Sequence, residues 1–239
     1  MIKRLLISGA DKLAKVVRPI ATRVAREQAK DIQLQRQRRA VESKAEFVDR
    51  HLNQAKLFAN KYDLLTHAFH LADVSGDRLI CEFGVFEGTT INHLAQLTSK
   101  TIYGFDSFEG LPEAWSGSIP KGHFAMEALP KVKSNVKLVK GFFDKSLPGF
   151  LKENPGKAGL LHIDCDLYSS TKTVFELFES RLTPGTVIVF DEYFNYPAWE
   201  QGEHKAFNEL ISKIKGTIEF VGFVHKNEQV AVVLKSIGT

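Results

Sequence analysis

The chain has 239 residues, 44% hydrophobic and 25% charged, so it can bury one good-sized α/β core, and wholesale disorder is excluded. Residues 1–60 carry 14 Lys and Arg against 6 Asp and Glu, whereas residues 61–239 carry 18 against 22. The basic character therefore belongs to the N-terminal segment. No stretch approaches the roughly 20 apolar residues of a membrane-spanning helix. The two cysteines, Cys81 and Cys165, give no disulfide framework and favour a reducing cytoplasm.

Residues 1–60 have a helical pattern, with Val16, Ile20 and Val24 on one apolar stripe between basic residues. Pro19 is expected to break or kink the first helix, and the helical pattern continues to Leu64. We predict a basic helical extension over residues 1–70, which packs on the core or on a second subunit as a homodimer. The alternatives are weak contact with an anionic membrane surface and nucleic-acid binding, which the lack of interleaved aromatic residues disfavours.

Residues 71–239 form the predicted main domain, in which short apolar strands alternate with helices. The strands are expected at residues 79–84, 101–106, 136–143, 159–168, 185–193, 217–223 and 229–235. This alternation predicts a mostly parallel sheet with helices on both faces. Only about five residues separate the last two strands, so they must form an antiparallel hairpin. The predicted fold is a Rossmann-like α/β domain of seven strands with an antiparallel last strand, the variant found in class I methyltransferases.

Ligands in such sheets bind at the carboxyl ends of the strands, where the first strand continues into Glu82-Phe83-Gly84-Val85-Phe86-Glu87-Gly88-Thr89-Thr90. Gly84 and Gly88 permit a sharp turn and close approach to a ligand. The missing Gly-Lys-Ser/Thr excludes a P-loop, and the Glu82 carboxylate would repel a pyrophosphate but attract an ammonium group. S-adenosylmethionine therefore suits this turn better than NAD, although a purely structural turn explains the glycines as well.

Two further strand ends carry nucleoside signals. Asp106 lies 22 residues after Gly84, the spacing at which a carboxylate grips ribose hydroxyls; the alternative is a solvated aspartate. Phe143 and Asp144 follow the third strand and are candidates for contact with an adenine ring and its amine. A core phenylalanine and a helix-capping aspartate explain that pair equally well.

An acidic cluster is predicted where the fourth and fifth strands end. His162, Asp164 and Asp166 share one face if the strand continues, and Asp191 with Glu192 follows the neighbouring strand. Converging carboxylates need a cation or strong hydrogen bonds, and oxygen ligands favour Mg²⁺ or Mn²⁺ over Zn²⁺. A divalent ion would orient an acceptor hydroxyl and lower its pKa. Helix capping by the same acids is the alternative.

The motifs EFGVFEGTT, YGFDSFEGLPE, LLHIDCDLYSST and IVFDEYFNYPAWEQGEHKAF together resemble the macrocin O-methyltransferase family over about residues 79–235. These are metal-dependent class I enzymes that methylate sugar hydroxyls in natural products. The resemblance implies a set of roles by residue. The methionine part of the cofactor would contact Glu82, Gly84, Phe86, Gly88, Thr89 and Thr90; the ribose and adenine would contact Asp106, Ser107, Phe143 and Asp144; the metal ligands would be Asp164, Asp191 and Glu192.

The resemblance departs from the pattern at the catalytic base. Related enzymes place a Lys or His three residues after the first metal ligand, where this chain has Leu167. The resemblance makes Asp164 the first candidate for the proton acceptor, with Asp166 or a metal-bound hydroxide as the alternatives. His162 and His204 are candidate helpers, although a histidine in a strand is more often a core residue. The segment 108–126 is too long for an ordinary connection and is interpreted as a lid. Residues 193–199 are interpreted either as an aromatic acceptor wall or as plain packing.

The predicted function is therefore O-methylation of a sugar, glycan or glycosylated small molecule with S-adenosylmethionine and a divalent metal. The alternatives are a methyltransferase of a phenol or an amine, and a cofactor-binding scaffold without catalysis. An NAD-dependent oxidoreductase is disfavoured by Glu82 and by the reversed last strand.

Overall fold

The computed structural model describes residues 2–115 and 119–238, with side chains from residue 13 onward. Its helices are α1 (Ile2–Lys30), α2 (Ile32–Phe47), α3 (Lys61–Leu71), α4 (Thr89–Leu94), α5 (Phe143–Glu153), α6 (Tyr168–Phe178) and α7 (Glu203–Lys213). Its strands are β1 (Lys56–Phe58), β2 (Leu79–Phe83), β3 (Ile102–Asp106), β4 (Val136–Lys140), β5 (Ala158–Ile163), β6 (Val187–Phe190), β7 (Thr217–Val224) and β8 (Val230–Ser236).

The eight strands form one sheet in the order β1-β7-β8-β6-β5-β2-β3-β4. Strand β8 is antiparallel to both β6 and β7, and all other neighbours are parallel. The predicted α/β class, the parallel sheet and the antiparallel last strand are confirmed. The parallel strands bring the ends of β2, β3, β5 and β6 to one edge, which positions the candidate site.

Apolar side chains on both faces of the sheet explain the nearly continuous hydrophobic strands. On one face Phe83, Phe105 and Phe190 pack against α5, α6 and α7. On the other face Ile80, Leu160 and Val187 belong to a core that also contains buried residues of α3 and α4. A strand buried on both faces needs apolar residues at successive positions, as the sequence of β5 provides.

Two details of the N-terminal segment differ from the sequence prediction. Residues 56–58, which continue the helical pattern, instead form β1 at the sheet edge, where the Phe58 ring packs over Gly222 of β7. Helix α1 continues through Pro19, so the predicted break is wrong, while the alternative of a kink stays a prediction. A proline removes one backbone donor, and the neighbouring residues are exposed, so water can satisfy the carbonyl left without a partner.

Helix α2 is attached to the β7–β8 hairpin by a buried lysine. The Lys44 ammonium donates to the carbonyl oxygens of Val224, His225 and Asn227 at 3.3, 2.8 and 2.8 Å, and it lies 4.6 Å from the Phe194 ring centroid. Residues of α2, β1 and α3 all contact the main domain. The predicted division at residue 70 stays a prediction. Within the described residues, no helix is long and apolar enough to cross a membrane.

Candidate functional site

A cavity of about 560 Å³ lies at the carboxyl ends of the central strands, within the size range of small-molecule sites. Most of the predicted site residues line it: Gly84, Phe86, Thr89, Thr90, Ser107, Asp106, Phe143, Asp144, Asp164, Asp166 and Glu192. Four other predicted site residues are absent from the lining formed by the described part of the chain: Glu82, Gly88, His162 and Asp191. Three of them hydrogen-bond to lining residues: Glu82 to Thr90, Gly88 to Val85, and Asp191 to Lys61. His162 contacts Glu82.

Gly84 is the residue that lets two loops meet beneath the cavity. Its φ of +92° is in the region that favours glycine. A Cβ atom there would lie 1.6 Å from the backbone oxygen of Asp164. The first glycine of the predicted turn is therefore required both by backbone conformation and by the approach of the loop after β5.

The Asp106 carboxylate holds the glycine turn in place. One oxygen accepts hydrogen bonds from the backbone N–H groups of Val85 and Phe86 at 2.8 and 2.9 Å, and the other accepts from Phe108 at 2.7 Å. A charged acceptor with three amide donors is a strong local constraint. The alternative of a solvated aspartate is therefore wrong, because three backbone N–H groups bond to this carboxylate. Its contact with ribose stays a prediction.

Beneath the turn, Glu82 is fully buried and both of its oxygens have partners. The Thr90 hydroxyl donates to one oxygen at 2.9 Å, and the Nδ1 atom of His162 lies 2.9 Å from the other. The structure therefore ties Glu82 to strand β5 and helix α4. Glu82 itself does not line the cavity, although its partner Thr90 does, and its contact with a ligand ammonium stays a prediction.

The predicted acidic cluster is present with a different composition. Ligand atoms of His162, Asp164 and Asp191 all lie within 4.8 Å of one another, whereas Glu192 is not part of that described set. At the end of β6, the N–H of Asp191 still pairs with the Ile163 carbonyl, whereas the N–H of Glu192 donates to the Glu203 carboxylate at 3.3 Å.

A lysine that sequence reasoning missed lies among these acids. The Lys61 ammonium, in the first turn of α3, is 3.1 and 3.3 Å from the two carboxylate oxygens of Asp191. Burial opposes the charge of Lys61, but Asp191 and Asp164 outweigh it and raise the pKa of the ammonium. A lysine at a helix start has no sequence signature that separates it from a solvent-exposed one.

The pKa values of the clustered side chains are shifted in different directions. Burial and the neighbouring Asp191 carboxylate raise the pKa of Asp164 well above its usual value. Burial acts in the same direction on Asp191, but His162 and Lys61 outweigh it and lower the pKa of Asp191 to about 2. Burial would lower the pKa of His162, and the carboxylates of Asp191 and Glu82 instead raise it to about 10.

Beyond β5 the chain leaves the strand conformation. The strand ends at Ile163, and Asp166 has a φ of +63°, so the predicted alternation of His162, Asp164 and Asp166 on one strand face is wrong at Asp166. Asp164 and Asp166 nevertheless both line the cavity. Burial, with Asp191 and Asp106 nearby, raises the pKa of Asp166 to about 7, a value suited to accepting a proton near neutrality. Leu167 is buried.

Part of the predicted lid covers the cavity. Leu111, Pro112, Trp115 and Phe124 line it, and the Ser169 hydroxyl donates to Glu113 at 2.6 Å. Residues 116–118 of the predicted lid lie outside the described residues. The packing interpretation of residues 193–199 is favoured, because Tyr193, Phe194 and Trp199 are buried in the core.

Two neighbouring residues of helix α7, Glu203 and His204, are also placed by the structure. His204, predicted as a helper, packs among Phe47, Tyr193 and Trp199 instead of lining the described cavity, and burial lowers its pKa to about 4. Glu203 is fully buried beside Glu192, and burial with Asp166 raises its pKa well above the usual value. Its position in a motif quoted for the family resemblance is the only signal that singles it out.

Comparison with known proteins agrees with this geometry. A family described as a methyltransferase domain matches residues 81–193. The 8-demethyl-8-(2,3-dimethoxy-alpha-L-rhamnosyl)-tetracenomycin-C 4'-O-methyltransferase of Streptomyces olivaceus is 32% identical over 149 residues, which cover 52% of this chain and 55% of that protein. The chain thus spans about half the length of the curated relative it matches.

Solved structures give the same result. The calicheamicin methyltransferase CalS11 superposes with a TM-score of 0.57 at 26% identity, covering 72% of this chain and 77% of that one; its apo structure is described as a TDP-rhamnose 3'-O-methyltransferase. The O-methyltransferase NovP, 18% identical with a TM-score of 0.54, covers 74% of this chain and 79% of its own and supports the fold alone. The methyltransferase fold and the resemblance to sugar O-methyltransferases are confirmed.

Proposed function

We propose that this chain, which carries a methyltransferase domain, is an S-adenosylmethionine-dependent, divalent-metal-assisted O-methyltransferase acting on a hydroxyl of a sugar or a glycosylated small molecule. The observation that carries the proposal is the cavity in which the glycine turn and Asp106 meet the acids Asp164, Asp166 and Glu192. Two relatives whose names specify rhamnose-bearing substrates support the acceptor class.

The residues present fit a divalent cation. His162, Asp164 and Asp191 bring their ligand atoms together, and within the described residues His162 Nε2 and one oxygen of Glu192 are buried without a hydrogen-bond partner. Unpaired polar atoms inside a protein are costly unless a ligand satisfies them. Asp164 and Asp191 would hold the ion, with Glu192 completing the set. Carboxylates suit Mg²⁺ or Mn²⁺.

The chain's own residues would do four things in the reaction. The Gly84 turn, fixed by Asp106, would bind the nucleoside, and Phe86 and Phe143 would pack on its rings. Asp164 would orient the acceptor hydroxyl, and Asp166 would take its proton. The aromatic lid would exclude water. When bound, S-adenosylmethionine supplies an electrophilic methyl group and the metal lowers the pKa of the hydroxyl; alignment supplies much of the rate.

The test measures release of S-adenosylhomocysteine with nucleotide-linked and glycoside-linked deoxysugars, with and without a chelator. We expect Mg²⁺-dependent turnover on at least one sugar acceptor, and loss of metal stimulation in Asp164→Asn with the S-adenosylmethionine affinity unchanged. Asp166→Asn should lower kcat by about 100-fold or more. The matched control is Glu219→Gln on the exposed face of β7, which should behave as wild type.

Three outcomes would each contradict a part of the proposal. Turnover that survives the chelator would remove the metal from the reaction. Failure to bind S-adenosylmethionine in a calorimetric titration, with or without Mg²⁺, would remove the methyl donor. Turnover on phenols or amines with none on sugars would instead favour the other acceptor classes.

A further inference from the structure

Helix α1 presents an apolar stripe that nothing in the described structure covers. All residues from 13 to 30 are exposed. Five large apolar side chains among them are between 49% and 66% exposed: Leu13, Val16, Val17, Ile20 and Val24. Their spacing of three, one, three and four residues places them on one face of a helix with 3.6 residues per turn. An exposed apolar face of this kind marks an interaction surface.

The rest of the helix circumference is basic. Between residues 13 and 30 the chain has five cations, Lys15, Arg18, Arg23, Arg26 and Lys30, against the single anion Glu27. Helix α2 extends the basic character with the exposed Arg36, Arg38 and Arg39. The partner of this surface must therefore accept apolar side chains in its interior and carry negative charge around them.

We propose that α1 binds the surface of an anionic lipid bilayer, with its apolar stripe in the acyl boundary and its cations among the headgroups. Such a surface satisfies the stripe and its basic flanks together. A second copy of α1 would cover the stripe but would bring two strongly cationic helices side by side, with only one acid on each between residues 13 and 30. Like charges at that distance disfavour the pairing.

The helix lies on the membrane rather than crossing it. No described helix has the apolar length needed to span a bilayer, and five basic residues are spread along the helix from Lys15 to Lys30. Lys44 fastens α2 to the β7–β8 hairpin, so a bound α1 would hold the folded domain at the surface. The proposal is independent of methyl transfer.

The experiment is co-sedimentation of the full chain with vesicles of phosphatidylcholine alone or mixed with phosphatidylglycerol. We expect binding to the anionic vesicles at least about tenfold tighter than to the neutral ones, and weaker binding at high salt. The double variant Val16→Ser/Ile20→Ser should lose about 100-fold in vesicle affinity, because two apolar side chains no longer leave water.

The matched control is Ala14→Ser/Ala25→Ser, which places the same residue type on the other side of the same helix and should bind as wild type. Light scattering of the lipid-free protein tests the alternative occupant. A dimer that Val16→Ser/Ile20→Ser dissociates, with no vesicle binding by wild type, would overturn the proposal in favour of a second copy. Equal binding of the two double variants would also overturn it, because the stripe would then play no part.

Discussion

Replacing Gly84 with alanine tests whether close contact between two loops builds the site. The added Cβ would lie 1.6 Å from the Asp164 carbonyl oxygen, and ordinary contact begins at 3.4 Å, so the loops would have to separate by about 1.8 Å. That movement would disrupt the hydrogen bond from the Asp164 N–H to the Phe83 carbonyl at 2.9 Å. It would also displace Asp164 from the other acids.

The chain offers a matched control for this substitution. Gly185 has nearly the same φ, +91° against +92°, but a Cβ there meets no atom within 4 Å. Gly185→Ala should therefore lower the free energy of unfolding by the backbone cost alone, about 1–2 kcal/mol. Gly84→Ala carries that cost and an overpacking cost of about 1–3 kcal/mol, a loss of about 2–5 kcal/mol in all.

Urea denaturation of both variants measures these values, and calorimetric titration with S-adenosylmethionine measures the effect on the site. We expect Gly185→Ala to bind as wild type and Gly84→Ala to lose affinity beyond its loss of stability. Equal destabilisation by the two variants, with binding intact in both, would refute the inferred contact between Gly84 and Asp164.

Three other predictions concern residues that the structure assigns to different tasks. Asp106→Ala removes the acceptor of three backbone N–H groups, so the S-adenosylmethionine affinity measured by calorimetry should fall at least about tenfold; an unchanged affinity would contradict its role in the turn. Lys44→Met should lower the free energy of unfolding by about 2–3 kcal/mol and speed proteolysis in α2, whereas the exposed Lys30→Met should do neither. Because the folded-state pKa of His204 is about 4 against 6.5, the unfolded chain binds the extra proton in that window. Stability should therefore fall as pH falls from 6.5 to 4 by about 2–3 kcal/mol, and His204→Phe should flatten that part of the unfolding curve measured against pH.

The sequence was sufficient for the sheet because strand periodicity is a local signal. Strands β2, β5 and β6 begin within two residues of the predicted starts, but β5 ends at Ile163 and β6 at Phe190 rather than at 168 and 193. The short gap before β8 required a hairpin. Strand β1 was missed because Lys56-Leu57-Phe58 fits a helical stripe equally well, and its pairing depends on a glycine 164 residues after Phe58. A contact between residues so distant in sequence leaves no local pattern.

The candidate site was predictable where one strand end decides a position, and not where two elements meet. Asp106, Asp164 and Asp166 follow strands and line the cavity as expected. Lys61 reaches Asp191 from the first turn of α3, and His162 joins the acids while Glu192 lies outside the group of close ligand atoms. These arrangements depend on side-chain packing across the sheet, which spacing alone does not encode.

The position of β8 has a consequence for the order in which the protein assembles. Strand β7 is bonded only to β1 and β8 within the described sheet, and β8 alone joins that pair to β6. Until β8 (Val230–Ser236) has been synthesised, β1 and β7 cannot be joined to β6 and the rest of the sheet. Non-local pairing is slow, so a nascent chain on the ribosome would keep an open, apolar β6 edge until β8 emerges. An exposed edge of this kind is prone to aggregation, and chaperones would protect it in that interval.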